Sequence, residues 1–181
     1  NVIEVSASTY HSMALTNDGS IYTWGYNGNG QLGDGTTGSK GAPIKIKANN
    51  ISQIASANQT SAAVDGDGNL YVWGYNRYGQ LGLGNTNDRY SPTLVGSLSG
   101  IVDVAVENNA IVALDENGVV WTSGRNNYGQ LGNNTTSTRY TFGKVLDKNG
   151  EVLTNVKSTS GSKEGSVVKI VVEGDLPWEK F

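Results

Sequence analysis

Short apolar runs broken by polar turns recur along the chain, at a spacing that predicts strands rather than helices. Val5, Ala7, Met13, Ala14 and Leu15 lead to Thr16-Asn17-Asp18-Gly19. Ile54, Ala55, Ala62, Ala63 and Val64 lead to Asp65-Gly66-Asp67-Gly68, and Val104, Ala105, Val112, Ala113 and Leu114 to Asp115-Glu116-Asn117-Gly118. Asp-Gly and Asn-Gly between apolar runs are strong hairpin signals, because the tight turn needs positive φ. Each turn is followed by an alternating run: Ile21-Tyr22-Thr23-Trp24, Leu70-Tyr71-Val72-Trp73 and Val120-Trp121-Thr122-Ser123. Positions two apart on a strand share a face. The replacement of the last Trp by Ser123, with Trp121 two residues earlier, therefore predicts a large ring shifted along one face and a structural role for it.

These strands run into near-copies of one stretch, WGYNGNGQLGDG at 24–35, WGYNRYGQLGLG at 73–84 and SGRNNYGQLGNN at 123–134. The Gly-Gln-Leu-Gly blocks start at Gly30, Gly79 and Gly129, which are 49 and 50 residues apart. Such a period means stacked units, each too small to bury its own apolar face. Gly25, Gly74 and Gly124, followed by Asn27, Asn76 and Asn126, read as a tight loop that exploits left-handed backbone. Leu32, Leu81 and Leu131 return to the core, Gly33, Gly82 and Gly132 permit close backbone approach, and Gln31, Gln80 and Gln130 are expected to bond neighbouring backbone and tie one unit to the next.

Linkers rich in Thr, Asn, Ser and Arg carry Pro43 and Pro92, which suit an outer edge or turn. Beyond Phe142 the pattern weakens. A hairpin is expected around Asp147-Lys148-Asn149-Gly150, and then a degraded fourth unit with Val167, Val168 and Ile170 as its strand and Glu173-Gly174 as its turn. The predicted organisation is three repeats, 1–49, 50–98 and 99–142, and a degenerate partial fourth over 143–181.

The run from Ala7 and His11 through Ala14, Leu15, Asp18, Gly19, Trp24, Gly25 and Asn27 to Gly33 resembles the regulator of chromosome condensation repeat. The second copy departs from that pattern at Thr60, and the third at Ala110 and Ser123. The resemblance implies an all-β fold, a β-propeller with blades of four antiparallel strands, seven in a complete member. Seven repeats need roughly 350 residues, so about three to four blades are expected here. Exposed strand edges are a liability, and the remaining blades are expected from a longer polypeptide, a second chain or a larger assembly. Members of the family act mainly by binding: a nuclear exchange factor for a small GTPase, ubiquitin-ligase domains, a secreted β-lactamase inhibitor and a plant ultraviolet receptor. None of their functional residues carries over. The exchange factor's basic N-terminal tail is absent, as is the receptor's repeated Gly-Trp-Arg-His-Thr motif.

Composition narrows the classes of partner. Thirteen Lys and Arg against 16 Asp and Glu give a net charge of -3, without the basic stripe that nucleic acid requires. No stretch approaches the roughly 20 apolar residues of a membrane span. There is no Cys and a single His, so no metal and no cofactor is expected. The chain opens at Asn1 on a repeat boundary and reads as a piece of a longer protein. Its acidic, Tyr/Asn/Thr/Gly-rich and cysteine-free make-up suggests a bacterial extracellular or cell-surface protein, with the cytoplasm as the alternative.

No catalytic residue stands out. His11 aligns with Thr60 and Ala110, as a structural repeat residue would, whereas a catalytic base needs an orienting partner and a nucleophile. Asp65-Gly66-Asp67-Gly68-Asn69 has the alternate acids of a calcium loop, but its sixth and twelfth positions are Leu70 and Asn76 instead of Gly and Glu, so the hairpin reading stands. Gly28–Gly33 is not followed by helical periodicity and is no dinucleotide loop. Inside the fixed loop frame, Tyr26, Asn29, Tyr75, Arg77, Tyr78, Arg125 and Tyr128 vary in type. Tyr and Arg are enriched at binding hot spots, and repeat frames present such loops on one face. The sequence thus predicts a non-catalytic protein-interaction module with these seven residues as candidate partner contacts. Its alternatives are a self-associating block of a fibre, stalk or two-chain propeller, and, less favoured, an exchange factor or carbohydrate-active protein.

Overall fold

The structure, a computed structural model, describes residues 1–159 and 171–172. Three antiparallel meanders follow one another. The first comprises β1 (Val2–Ala7), β2 (His11–Thr16), β3 (Ile21–Gly25) and β4 (Lys40–Lys45), and the second β5 (Ile51–Ala57), β6 (Thr60–Asp65), β7 (Leu70–Gly74) and β8 (Arg89–Leu94). The third comprises β9 (Ile101–Val106), β10 (Ala110–Asp115), β11 (Val120–Gly124) and β12 (Arg139–Lys144). In each sheet the spatial order follows chain order, and no helix occurs among the described residues. The expected all-β class and four-stranded blades are therefore present.

The first strands β1, β5 and β9 lie side by side, which gives the blades their radial order. One side chain on each of them reaches the main chain of the next. Glu4 Oε2 accepts the Ile54 N–H at 3.1 Å, Gln53 Oε1 the Val104 N–H at 2.9 Å, and Asp103 Oδ2 the Thr159 N–H at 2.6 Å. A second row runs at the hairpin turns, where the carbonyls of Gly19, Gly68 and Gly118 accept the amides of Ile51, Ile101 and Val156. Both rows extend to β13 (Val156–Ser158), which pairs with β14 (Val171–Val172). The segment 156–159 thus stands where a further first strand would. The bridge Leu146–Val152 and the turn Asp147–Gly150 form the small hairpin expected before it. The strand expected at Val167, Val168 and Ile170 and the turn at Glu173-Gly174 lie outside the described residues.

The core is split between the blades. Met13, Leu15, Ile21 and Ile46 of the first blade pack against Ile51, Ile54, Ala63 and Trp73 of the second. Ala62, Val64, Leu70, Val72 and Leu81 of the second meet Ile101, Val104, Val106, Ile111 and Ala113 of the third. Val112, Leu114 and Val120 pack beneath Leu153 and Val156. Strands covered on both sides are buried throughout: β6 lies between two blades, and β10 between the second blade and the segment carrying Val145, Leu153 and Val156. The polar linkers form the fourth strands β4, β8 and β12, with Pro43 and Pro92 inside edge strands, where a missing N–H breaks no ladder.

The third blade treats its missing Trp differently from expectation. Trp73 Nε1 donates to the Gln31 carbonyl of the preceding blade at 2.9 Å, and its ring lies over Gly33, where a Cβ would come within 2.8 Å of Nε1. At the next junction Ser123 Oγ donates to the Gln80 carbonyl at 2.7 Å, and the ring over Gly82 belongs to Phe142 of β12. Trp121 stays in register with Tyr71 and donates to Asp115 Oδ2 at 2.9 Å. Packing volume is kept by a ring from another strand, not by a shift along the same one. Trp24, the first-blade counterpart, is half-buried.

Candidate functional site

The seven variable residues sit in the loops leaving β3, β7 and β11, on the face that also carries the β1–β2 type turns. That placement follows from register, since His11 pairs with Gly25, Thr60 with Gly74 and Ala110 with Gly124. Here the chain must bend away from the sheet against a neighbouring turn. Gly74 has φ +94°, and a Cβ on it would strike the Gln59 carbonyl; Gly25 and Gly124 meet the equivalent carbonyls of Tyr10 and Asn109. Glycine is required at this corner both for its conformation and for space.

The frame behind the variable residues is a buried amide. Asn76 Oδ1 accepts the Leu81 N–H at 3.0 Å, while its Nδ2 donates to the carbonyls of Asn85 at 2.9 Å and Asn87 at 3.0 Å. Asn27 and Asn126 repeat this with Leu32 and Leu131, and with the carbonyls of Thr36 and Gly38 or Thr135 and Ser137. All three are fully buried. The expectation of left-handed backbone fails for them, because the positive-φ asparagines are Asn50, Asn58, Asn134 and Asn155. They act as hydrogen-bonding hubs that close the long loop in two places.

Gln31, Gln80 and Gln130 do bond neighbouring backbone, but their side chains do not tie one unit to the next. Their side-chain carbonyls accept the N–H of Asn29, Tyr78 and Tyr128 within the same loop. The tie to the next blade runs instead through the main-chain carbonyls of Gln31 and Gln80. The loops are themselves blade joints, since the amides of Gly35 and Gly84 donate to the Tyr90 and Tyr140 carbonyls on β8 and β12.

The frame brings four of the seven candidates into one row. The rings of Tyr75 and Tyr78 meet edge to face at 6.3 Å. The Arg125 guanidinium carbon stands 5.3 Å from the Tyr78 centroid, across the blade junction, and 6.0 Å from that of Tyr128 in its own loop. Tyr128 is 79% exposed. Arg77 is exposed on the same loop as Tyr78. Tyr26 lies apart and meets the ring of Tyr10 at 5.9 Å. Asn29 turns to the next blade, donating from Nδ2 to Asp88 Oδ2 at 3.0 Å, while the other oxygen of Asp88 takes the Asn76 N–H at 2.9 Å. Burial, reinforced by the neighbouring Tyr78, raises the Tyr75 phenol above its usual range. Sequence reasoning missed Tyr10, Asp88 and the asparagine hubs. A signal for the hubs was present in their fixed place five residues before each returning Leu.

The acids and the histidine are committed elsewhere. Asp65 takes the amides of Asp67 and Asn69 and the Asn69 side chain, so its carboxylate caps the hairpin turn. His11 is buried at the first junction, with Nδ1 3.1 Å from the Asn58 carbonyl and Nε2 2.7 Å from Ser61 Oγ. A carbonyl at Nδ1 favours the proton there, and the single Ser61 hydroxyl proton is shared between Nε2 and the Gln31 carbonyl 2.9 Å away. Burial pushes this imidazole down to about 4, against the opposing pull of Asn58.

Radial blades, a 49–50 residue period and the Gly-Gln-Leu-Gly joints coincide with a known sequence family. The model described as "Regulator of chromosome condensation (RCC1) repeat" matches residues 18–64, 67–114 and 117–147, and a second model of the same description matches 2–31 and 51–80. The chain belongs to the RCC1 repeat family. Its matched frame is offset from the blades, since 18–64 begins in the β2–β3 turn of one blade and ends in the second strand of the next.

Relatives share the repeat over short stretches. The BTB/POZ domain-containing protein 1 of Schizosaccharomyces pombe is 50% identical over 52 residues, 28% of this chain and 4% of that protein. Human E3 ubiquitin-protein ligase HERC2 is 45% identical over 47 residues, 26% of this chain and 1% of that protein. Among solved structures, human WBSCR16 superposes with a TM-score of 0.76 at 22% identity, covering 88% of this chain and 43% of that one. Prp20p from Saccharomyces cerevisiae gives 0.75 at 19% identity, covering 90% and 42%. These likenesses show the fold, and the RCC1-repeat chain spans less than half the length of either structure.

Proposed function

We propose that this RCC1-repeat chain is a non-catalytic protein-interaction module that binds its partner through the loop face holding Tyr75, Arg77, Tyr78, Arg125 and Tyr128. The observation that carries this reading is the continuous Tyr75–Tyr78–Arg125–Tyr128 row across two blades. Rigid aromatic anchors held by a buried hydrogen-bonded frame suit binding without much ordering cost. Similar proteins support a binding role: Prp20p binds Gsp1p and histones, and HERC2 is a ubiquitin-protein ligase. An exchange factor remains the less favoured reading. A bacterial extracellular placement rests on composition alone, while the relatives named above are eukaryotic. Pull-down with Tyr75, Arg77 and Tyr78 replaced by Ala tests the module; unchanged retention of a partner overturns it.

A second reading, contact with further blades in cis or from a second chain, rests on β1. Val2 and Val5 are 58% and 71% exposed, whereas Ile51 and Ile54 at the matching places are 5% and 3% exposed. Light scattering over a concentration series tests the two-chain form, which a strict monomer excludes.

A further inference from the structure

The Arg125 guanidinium is held between two rings, yet its Nε is buried and has no hydrogen-bond partner. Arg139, opposite Gly124 on the neighbouring strand, likewise has a buried Nη1 without a partner. No carboxylate lies within ion-pair distance of either among the described residues, where the ion pair present is Lys40–Asp34 at 2.9 Å. That pair explains what the third blade lacks. Lys40, Arg89 and Arg139 occupy one repeat position, opposite Gly25, Gly74 and Gly124. The acid at Asp34 becomes Leu83 and then Asn133 in the following copies. In the second blade Arg89 is served by the Asn85 side chain and the Asn87 carbonyl. In the third, Asn133 turns to Asn126 and Thr135. Asp88, whose charge reaches Tyr75, is already held by Asn29 and Asn76. Among the described residues the loop face of the third blade therefore carries cationic groups without a carboxylate partner, beside the exposed ring of Tyr128.

We propose that Arg125 anchors a side-chain carboxylate, Asp or Glu, of a partner polypeptide, with Tyr78 and Tyr128 holding the guanidinium flat and receiving an adjacent apolar side chain. This rests on the loop-face reading and names the chemistry that face selects. A guanidinium lying against aromatic rings offers a planar fork to a carboxylate, which a flexible ammonium does not reproduce. Desolvated charge-assisted bonds of this kind carry specificity more than bulk affinity.

The test uses the full chain on an array of end-blocked decapeptides that place Asp or Glu beside an aromatic or aliphatic residue, each paired with its Asn or Gln copy. The expected result is at least ten-fold stronger retention on acidic members than on their amide copies. Arg125→Gln should abolish that preference, and Arg125→Lys should restore little of it. Tyr128→Ala should weaken retention on acidic members, and thermal melting should show all three variants folded. An acidic preference that survives Arg125→Gln overturns the proposal, as does the absence of any preference for acidic members over their amide copies. If preference is lost in every form while Tyr75→Ala and Tyr78→Ala still reduce partner retention, the loop face stands and the carboxylate anchor falls.

Discussion

Trp73 and Ser123 donate to the same acceptor one blade apart, the main-chain carbonyl of Gln31 at 2.9 Å and that of Gln80 at 2.7 Å. The serine keeps the bond but not the ring, and Phe142 supplies the volume over Gly82. The second blade has Pro92 where the third has Phe142, so it holds no such reserve. Trp73→Ser should therefore cost about 3–5 kcal/mol, as large cavities do, read from urea unfolding. Phe142→Ala should cost less, because the ring is only partly buried. A Trp73→Ser variant as stable as the parent would show that this junction is not held by the ring.

The asparagine hubs give a sharper prediction. Asn76→Ala leaves the buried Leu81 amide and the Asn85 carbonyl without their partner, and the Asn87 carbonyl with Arg89 alone. Unsatisfied buried groups cost about 1–3 kcal/mol each, and a total loss of about 2–4 kcal/mol is expected. Hydrogen exchange at Leu81 should accelerate more than at Leu131, whose hub is intact. Uniform acceleration would mean that the loop does not close as a local unit.

Acid should act first through His11. Its folded value, about 4, lies below the ordinary 6.5 because burial disfavours the imidazolium. The unfolded chain then binds more protons between those values, so stability is complete above pH 6.5 and falls as the pH drops toward 4. The loss approaches about 3 kcal/mol. His11→Thr, which copies the residue at position 60, should flatten that window in a series of denaturant melts. Asp34 titrates lower: partial desolvation raises it, but Lys40, Thr36 and Asn27 outweigh that and bring it to about 2. Its contribution is present above its ordinary value of 3.8 and is lost only as the pH falls toward 2, which separates it from the histidine.

Gln53 joins two blades at once. Its Oε1 accepts the Val104 N–H at 2.9 Å and its Nε2 donates to Asp103 Oδ1 at 2.5 Å. Gln53→Leu should preserve the fold of each blade but loosen the second junction, with a loss of about 1–3 kcal/mol. Gln53→Glu should be worse than isosteric, because it faces Asp103. Equal stability of the two variants would argue against the bond to Asp103.

The blades were legible because both sides of a stacked strand are apolar and the turns carry Asp-Gly or Asn-Gly. The fourth strands were not: Lys40–Lys45 contains Pro43 and packs on one side only, so it lacks the alternation that marks a strand. Asn76 suited two explanations by residue type, and only the position of the Leu81 amide separates them. Gln31 was read through its side chain, whereas the inter-blade bond uses its carbonyl, which every residue possesses. Residue type singles out the tyrosine and arginine candidates only one at a time. That Arg125 meets Tyr78 from 47 positions earlier depends on how one blade turns against the next, which a list of loop residues does not contain.

Glu4, Gln53 and Asp103 each reach forward to a main-chain amide in the following unit. A stack built this way is vectorial, with the acceptor on each first strand and the donor on the one that follows it. Two copies can join by these bonds only where each leading side meets the other's trailing side, as about a two-fold axis at the centre of a ring. Growth by the same bonds can proceed only head to tail, which closes into a ring or winds into a filament according to the angle between neighbours.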